Sequence, residues 1–220
     1  MRPDIFKKYC SYLFAIRQEK FESAVNGTLE VLLFKGRYQL VTKNAIYSFE
    51  DLYTSYGHAL NAIRYTNVKN ILVLGLGLGS IPIMLQKKLG DTISITSVEL
   101  DPEIIRCAKK YYPSATDYDK LNIIQSDALQ YVMQTKEKFD LITVDLFVDT
   151  YVPEQFFTLE FLQKLKSIIS PNGNLLFSRL KDGYKYEHEL WKNLKTVFPG
   201  KTEIETEGNS ILYWKPNFES

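Results

Sequence analysis

The stretch that decides the fold is Ile71-Leu-Val-Leu-Gly75-Leu-Gly77-Leu-Gly79, and it leads directly into Ser80-Ile-Pro-Ile-Met-Leu85. Its first four residues form a continuous apolar run, which is typical of a strand buried on both faces of a parallel sheet. The alternating glycines permit positive φ angles and let a ligand approach the backbone. Helical spacing of apolar residues follows over 80–88, and a helix N-terminus favours a negative group. The stretch therefore predicts a strand, a ligand-binding turn and a helix.

The segments after the turn alternate between strand and helix patterns. Such alternation predicts an α/β fold in which a doubly wound sheet carries helices on both faces, with right-handed crossovers. No helical segment separates the last two strands, so one of them should run antiparallel. The predicted strands are 71–74, 93–100, 122–125, 139–144, 174–178, 201–206 and 210–214, and the predicted helices are 80–88, 102–111, 128–134, 154–169 and 184–197, with a turn at 171–173.

The residues before the apolar run follow another pattern, in which short strands alternate with turns. The pair Asn26-Gly27 is a strong hairpin signal, and Lys35-Gly36 marks a second turn. Three or four such strands bury too little to form a core of their own. We therefore expect a small β-meander within an N-terminal segment, 1–49, packed against an α/β domain of residues 50–220. The predicted strands of the meander are 20–25, 28–34, 37–42 and 45–48, and helical spacing follows over 50–65.

The meander also indicates an oligomeric state. Leu32, Leu33 and Phe34 are consecutive, so their side chains fall on both faces of a strand. One face can pack on the α/β domain, and the other is left in water unless a partner covers it. Because exposed strand edges favour symmetric pairing, we expect a homodimer with the N-terminal strands in or near the interface.

Composition and charge exclude several classes of protein. Of the 220 residues, 45% are hydrophobic and 24% are charged, which is ordinary for a globular protein. Lys and Arg number 27 against 26 Asp and Glu, so we expect neither nucleic acid nor a membrane as a partner. The two cysteines match no metal-ligand spacing, and no signal peptide or apolar span is visible. We expect a cytoplasmic protein without a metal site.

Carboxylates end three of the predicted strands: Glu99, Asp127 and Asp145. Because the carboxyl ends of parallel strands meet at one edge of a sheet, we expect these acids to share a crevice with the glycine turn. An acid that ends the second strand can accept hydrogen bonds from ribose hydroxyls. Asp127 can accept one from an adenine amine, cap the helix that follows it, or do both. The glycine spacing differs from the G-x-G-x-x-G motif and from the P-loop.

These features resemble the class I S-adenosylmethionine-dependent methyltransferases, which carry a G-x-G-x-G turn after the first strand and acids after the next three. The resemblance begins near residue 70 and extends to the C-terminus. It implies a Rossmann-like seven-stranded sheet with the last strand antiparallel, and S-adenosylmethionine as the cofactor. The implied contacts are Gly75, Gly77 and Gly79 with the methionine part, Glu99 with the ribose, and Asp127 and Ala128 beside the adenine.

A closer resemblance, over nearly the whole chain, is to the spermidine synthase family of polyamine aminopropyltransferases. Those enzymes place a small N-terminal β-domain and a helix before the same cofactor fold, and they generally form dimers. The resemblance implies that Tyr56 shapes an acceptor pocket and that Asp145, with Asp149 second, is the acceptor-side carboxylate. It rests on the hairpin at 34–42, the tyrosine-bearing helix start at 53–60, the strand and loop at 139–149 and the segment 152–157.

Departures from that family bear on the chemistry. Leu78 stands where active aminopropyltransferases usually carry an Asp that holds the aminopropyl amine. Asp149 lies four residues beyond Asp145 rather than three, and Leu146-Phe147-Val148 replace small polar residues between them. Gly57 replaces a Gln. Because a charge-assisted hydrogen bond is worth ~1.5–3 kcal/mol, its loss at Leu78 should weaken binding of a cationic aminopropyl chain.

Three functions follow as hypotheses. The leading one is an enzyme that transfers a group, with methyl favoured, from S-adenosylmethionine to a small-molecule nucleophile such as an amine. The reaction would be an in-line displacement at a carbon bound to sulfonium, for which the protein mainly aligns donor and acceptor. The alternatives are an aminopropyltransferase that makes a polyamine from decarboxylated S-adenosylmethionine, and a catalytically silent protein that keeps the cofactor fold as a binding module.

Overall fold

The strand that precedes the glycine turn lies in the middle of a seven-stranded sheet in the computed structural model, which describes residues 3–180, 187–206 and 209–216. Five neighbouring strands run parallel, and the C-terminal hairpin adds an antiparallel strand and then the edge strand. The predicted α/β fold and its antiparallel strand are confirmed. Numbered along the chain, the strands in spatial order are β10 (Thr202–Glu205), β11 (Asn209–Trp214), β9 (Ile169–Leu180), β8 (Phe139–Val144), β5 (Asn70–Leu74), β6 (Ser94–Glu99) and β7 (Leu121–Gln125).

Helices cover both faces of this sheet. They are α2 (Thr54–Ala62), α3 (Ser80–Leu89), α4 (Pro102–Tyr111) and α5 (Ala115–Tyr118) on one face, and α6 (Ala128–Gln134), α7 (Leu159–Ser167) and α8 (Glu187–Val197) on the other. Ile71 and Val73 pack among side chains of α2 and α3, whereas Leu72 and Leu74 pack among those of α6 to α8. Each of these burials contributes ~1.5–3 kcal/mol, which explains why β5 is apolar at every central position.

The predicted meander is a four-stranded antiparallel sheet in chain order. Alternate residues Leu29, Val31 and Leu33 are fully buried, so one face of the sheet is apolar. That face packs on α4 and on the glycine turn, where Leu78 and Ile104 belong to the same apolar cluster. The strands are β1 (Ile16–Ser23), β2 (Gly27–Phe34), β3 (Arg37–Val41) and β4 (Ile46–Ser48), of which the first begins before the predicted residue 20.

Polar contacts also attach the meander to α4. The carboxylate of Glu19 in β1 accepts hydrogen bonds from Arg106 at 2.7 Å, Lys110 at 2.6 Å and the Tyr111 hydroxyl at 2.9 Å. Burial raises the pKa of Glu19, but these three donors outweigh it and lower the pKa to about 2. The carboxylate therefore stays ionised, and the contact intact, at all but strongly acidic pH.

The short helix α1 (Ile5–Cys10) was not predicted from the sequence. Its N-cap, Asp4, accepts hydrogen bonds from the backbone N–H groups of Phe6 at 3.0 Å and Lys7 at 3.1 Å. None of its residues is buried. The helix thus lacks the buried stripe from which helical periodicity is recognised, and the capping residue is its main sequence signal.

Two predicted helices are each divided in the structure. The segment predicted at 154–169 forms a 3-10 turn, Glu154–Phe157, and then α7, whose N-cap is the hydroxyl of Thr158. The segment predicted at 50–65 forms a 3-10 turn, Glu50–Leu52, and then α2. A 3-10 turn and an α-helix place apolar residues at similar intervals, so the sequence pattern did not separate them.

The turn predicted at 171–173 is wrong, because these residues lie inside β9. The pairing of β8 with β9 shifts register between Phe139 and Leu141, where β8 advances by two residues while β9 advances by five, from Ile169 to Asn174, and the strand continues through the Pro-Asn-Gly sequence. The first residues of the last predicted helix, 184–186, lie outside the described residues. Within the described ranges, no helix has both the length and the apolarity to cross a membrane.

The homodimer remains a prediction, and the N-terminal apolar segment, residues 5–14, gives it a surface to test. We expect light scattering to report twice the chain mass. We expect the double variant Phe6→Ser and Leu13→Ser to shift the protein to the monomer, because apolar area that only a second copy would cover is lost. Six large side chains of the segment are at least 57% exposed: Ile5, Phe6, Tyr9, Tyr12, Leu13 and Phe14.

The matched control is Leu159→Ser, which replaces an exposed leucine at the start of α7 and should leave the mass unchanged. A monodisperse monomer of the unaltered chain at tens of micromolar would contradict the dimer.

Candidate functional site

One cavity lies at the carboxyl edge of the parallel strands, where open α/β sheets bind ligands. The glycine turn, the ends of β6 and β8 and the start of α6 border it, and the meander closes it through Val25, Asn26 and Tyr47. With its opening to solvent included, the empty space at this edge is about 900 Å³. The cavity is therefore the place in the α/β domain where a bound ligand is expected.

Two of the three predicted glycines border the cavity. Gly75 and Gly77 line it with positive φ angles of 92° and 53°. A Cβ atom at Gly77 would lie 2.9 Å from the Cβ of Ser48, so this glycine is also required by the approach of the meander. Gly79 lies outside the lining, and a Cβ atom there would overlap the ring of Tyr112. Packing against Tyr112, rather than contact with a ligand, explains why residue 79 is a glycine.

Glu99 lines the cavity in a fixed orientation. One carboxylate oxygen accepts a hydrogen bond from the backbone N–H of Leu76 at 3.0 Å, and the other accepts one from that of Asp101 at 3.0 Å. Burial raises the pKa of Glu99, and these N–H donors act in the opposite direction. Each oxygen keeps acceptor capacity for a further donor, which suits the predicted contact with ribose hydroxyls.

Asp127 and Ala128 line the same cavity at the start of α6. Asp127 caps this helix, since one carboxylate oxygen accepts from the backbone N–H groups of Leu129 at 2.7 Å and Gln130 at 3.1 Å. Its other oxygen lies 3.4 Å from the side-chain nitrogen of Gln155. The structural role proposed for Asp127 is thus present, and its second oxygen lies beside Gln155, which also lines the cavity.

Asp145 lies at the end of β8 and lines the cavity. One of its two carboxylate oxygens already accepts a hydrogen bond. The Tyr53 hydroxyl donates to Oδ2 at 2.9 Å, while Oδ1 is buried and has no hydrogen-bond partner among the described residues. Burial raises the pKa of Asp145 to about 7, and Tyr53 and Ser178 limit the rise. The pKa of Tyr53 lies well above its usual value because of burial and the nearby carboxylate, so Tyr53 remains the donor.

Tyr56, the predicted pocket residue, lies in the core and outside the cavity lining. Its hydroxyl donates to the backbone carbonyl of Val144 at 2.7 Å, and its ring stacks near that of Tyr53 with centroids 6.2 Å apart. Tyr53 therefore holds the place on the cavity that was expected of Tyr56. Both tyrosines stand in the quoted segment 53–60, and the start of α2 decides which one reaches the cavity.

Asp149 also lies outside the cavity lining. Its carboxylate accepts hydrogen bonds from the Thr42 hydroxyl at 2.6 Å and the Asn44 side chain at 2.8 Å. Its backbone N–H donates to the Tyr47 hydroxyl at 2.5 Å. Asp149 thus attaches the loop after β8 to the meander, and the structure shows no second acceptor-side carboxylate beside Asp145 among the described lining residues.

The contribution of the meander to the site was not predicted from the sequence. Tyr47 donates from its hydroxyl to the Asn26 side chain at 3.1 Å, and Asn26 donates to Asp101 at 2.6 Å. These contacts hold the first hairpin turn at the rim of the cavity. The hairpin motif at Asn26 predicted the turn itself, but nothing local to the motif indicates which part of the α/β domain it would meet.

The charged side chains among the described cavity-lining residues are all acidic. Among the described residues that line the cavity, Glu99, Asp127 and Asp145 are acidic and none is Lys, Arg or His. No group of metal-ligating side chains occurs within the described ranges. The lining therefore favours a ligand that carries positive charge close to these carboxylates.

Comparison with proteins of known sequence shows relatives among transferases. The chain is 30% identical over 144 residues to a polyamine aminopropyltransferase of Sulfolobus acidocaldarius, a region covering 62% of this chain and 47% of that protein. It is 29% identical over 156 residues to an eEF1A lysine and N-terminal methyltransferase homolog of Drosophila melanogaster, and this region covers 66% of this chain and 23% of that protein. In four polyamine aminopropyltransferases, the matched region spans only about half of the protein, at 41% to 58% of its length.

Solved structures share the fold. Human methyltransferase-like protein 13, crystallised with SAH, aligns with a TM-score of 0.61 and 27% identity, covering 70% of this chain and 74% of that one. A spermidine synthase in complex with the transition-state analogue AdoDATO aligns with a TM-score of 0.75 and 18% identity, covering 93% of this chain and 75% of that one. The family model described as the spermine/spermidine synthase domain matches residues 50–205. The chain therefore belongs to the spermine/spermidine synthase domain family.

Proposed function

We propose that the protein transfers the methyl group of S-adenosylmethionine to a small-molecule nucleophile. The observation that carries this proposal is Asp145, a cavity-lining carboxyl with an unpartnered oxygen and a pKa of about 7. A group with such a pKa accepts a proton from a nucleophile at neutral pH and releases it afterwards. The names of the relatives, which are methyl- and aminopropyltransferases, support a donor of this chemical class.

The residues around the cavity fit this donor. The backbone at Gly75 and Gly77 would border its methionine part, Glu99 its ribose, and Asp127 with Ala128 its adenine. When bound, the donor supplies an electrophilic methyl carbon on a positively charged sulfur. The acidic lining stabilises that charge, and the orientation imposed on Glu99 by its two backbone donors reduces the entropy lost on binding.

The choice of methyl over aminopropyl rests on Leu78. This side chain is 1% exposed and packs in the cluster that joins the meander to α4. It therefore offers no charge to the cationic amine that decarboxylated S-adenosylmethionine would carry. A missing charge-assisted hydrogen bond of ~1.5–3 kcal/mol corresponds to roughly a tenfold to hundredfold loss of affinity for that donor.

The residues that act on the acceptor are Asp145 and Tyr53. Tyr53 holds Oδ2, which orients the carboxyl group, and Oδ1 is the oxygen without a hydrogen-bond partner among the described residues. For an amine acceptor, the nitrogen lone pair forms the new bond to the methyl carbon as the bond from that carbon to sulfur breaks. The proton released from nitrogen passes to Asp145, and the sulfur leaves as a neutral thioether.

Aminopropyl transfer is a second candidate, favoured by the names of several relatives and by the absence of cationic side chains from the described lining. In that reaction the acceptor amine would attack the aminopropyl carbon next to sulfur. The same carboxyl group, Asp145, would take the proton. The two reactions differ in the thioether that remains, which makes them separable by product analysis.

The products distinguish these functions directly. We expect incubation with S-adenosylmethionine and a panel of amines to yield S-adenosylhomocysteine, detected by mass spectrometry, because the buried Leu78 offers no carboxylate to an aminopropyl amine. Decarboxylated S-adenosylmethionine should give little methylthioadenosine under the same conditions.

Formation of methylthioadenosine together with spermidine from putrescine would overturn methyl transfer in favour of aminopropyl transfer. Binding of S-adenosylhomocysteine in titration calorimetry without turnover of either donor would instead indicate the silent binding module.

Asp145 should control the pH dependence of the reaction. In the unaltered enzyme kcat/KM should show an inflection near pH 7, rising as the carboxyl ionises. The variant Asp145→Asn should lower kcat by about a hundredfold or more and should lack the inflection, since it cannot accept a proton. Steady-state assays with one amine across the pH range measure both effects.

The matched control is Asp91→Asn, which replaces an exposed surface carboxylate paired with Lys120 and should keep the full pH profile. An unchanged inflection in Asp145→Asn would show that another group is the proton acceptor.

The same carboxyl group should also affect stability, independently of catalysis. Between the unfolded pKa of 3.8 and the folded pKa of about 7, native Asp145 keeps a proton that the unfolded chain releases. The contribution of Asp145 to stability is therefore most favourable at low pH and becomes less favourable as the pH rises through this interval. Relative to the unaltered chain, the free energy of unfolding of Asp145→Asn should gain on the order of 4 kcal/mol between about pH 4 and about pH 8. Urea denaturation measures this difference, and parallel pH profiles for the two proteins would contradict it.

A further inference from the structure

The wall of the cavity that follows Asp145 is apolar. Leu146, Phe147 and Val148 come directly after Asp145 and all three line the cavity, which Phe156 also lines. Leu146 and Phe147 pack against the large core cluster of the α/β domain, so their positions are set by burial. An acceptor that reaches Asp145 therefore lies against hydrocarbon and aromatic surface.

Among the described lining residues, Asp145 is the carboxylate that adjoins Leu146, Phe147 and Val148 along the chain. Of the described acids that line the cavity, Glu99 and Asp127 follow β6 and β7 and are bonded to backbone N–H groups there. Asp145 alone stands on the loop after β8. A second ammonium group placed against the wall would lose its hydration without an ionic partner, and such desolvation is unfavourable.

Asp149 positions this wall rather than adding charge to it. Its carboxylate is held by Thr42 and Asn44, and its backbone N–H by Tyr47. Its φ of 52° bends the loop, and the backbone of Val148 pairs with that of Tyr151 across the bend. These contacts fix residues 146–148 on the cavity side and the Asp149 carboxylate on the meander side.

We infer that the acceptor is a monoamine with an apolar alkyl or aryl body, and that polyamines are poor acceptors. The inference rests on the proposed function, since it names the substrate class of the same site. The one nitrogen meets Asp145, which takes its proton, and the apolar body lies against Leu146, Phe147, Val148 and Phe156. Burial of that body stabilises the complex, whereas the second ammonium of a diamine finds no carboxylate of its own on residues 146–148, and the other described lining acids, Glu99 and Asp127, are hydrogen-bonded to backbone N–H groups.

A matched pair of acceptors tests the inference on the full chain. Hexylamine and hexamethylenediamine share a six-carbon body and differ in the second amine. With S-adenosylmethionine as the donor, we expect kcat/KM for hexylamine to exceed that for hexamethylenediamine by about tenfold or more, measured as S-adenosylhomocysteine formed. Phenethylamine should resemble hexylamine.

A pair of variants tests the missing carboxylate. Val148→Asp adds an acid to the wall three residues after Asp145, and we expect it to reduce the preference for hexylamine about tenfold. Val148→Asn has nearly the same shape without charge and should keep the preference. Circular dichroism and thermal unfolding establish that each variant is folded before its kinetics are compared.

Binding provides a measurement that does not depend on turnover. In titration calorimetry with S-adenosylhomocysteine present, hexylamine should bind the unaltered chain at least about tenfold more tightly than hexamethylenediamine. Equal or tighter binding of the diamine, failure of both amines to bind, or a diamine preference in turnover would overturn the inference. Failure of the proposed function is distinct: no S-adenosylhomocysteine would form with any acceptor, while the binding preference would still decide the acceptor class.

Discussion

The packing of the meander on the glycine turn and α4 is the contact on which the rest of the structure depends. Leu78 and Ile104 meet the buried face of β2 there, and Glu19 adds ionic contacts at the edge. The same contact brings Asn26 and Tyr47 to the cavity. Stability and site geometry are therefore coupled, because the meander cannot leave without opening the cavity and exposing an apolar face on each side.

This coupling has a chemical consequence at the glycine turn. A side chain at position 78 can either complete the apolar cluster or present charge to a bound donor, and a buried leucine does the first. At the other side of the cavity, burial raises the pKa of Asp145 to about 7. This carboxyl group can therefore gain and lose a proton at neutral pH. The cavity therefore has a buried carboxyl group, Asp145, at the end of β8 and an apolar surface beside it.

The family comparison fits a scaffold whose loops have diverged. The spermine/spermidine synthase domain is matched over 50–205, and the sheet is shared with methyltransferases and spermidine synthases. The departures noted from the sequence, at Leu78 and at residues 146–149, lie at the glycine turn and in the loop after β8, both at the carboxyl edge of the sheet. Loops at this edge can change without disturbing the core, so one fold carries different acceptor chemistry in different members.

The sequence by itself determined the strand-turn-helix unit, the alternation of strands and helices, the meander and the acids at the strand ends. These are local or periodic features, and burial on two faces leaves a continuous apolar run that can be read directly. The sequence did not determine the 3-10 turns, the course of β9 through 171–173, or the helix at the N-terminus, because each lacks a distinctive period.

Only the tertiary structure decided which side chains meet in the cavity. It placed Tyr53 there instead of Tyr56, turned Asp149 toward Thr42 and Asn44, and brought the hairpin turn of the meander to the rim. Each choice depends on the angle at which separate elements dock, and that angle is set by burial summed over many residues far apart in the chain. A residue's type and spacing indicate what it can do, whereas the packing of the whole chain decides what it faces.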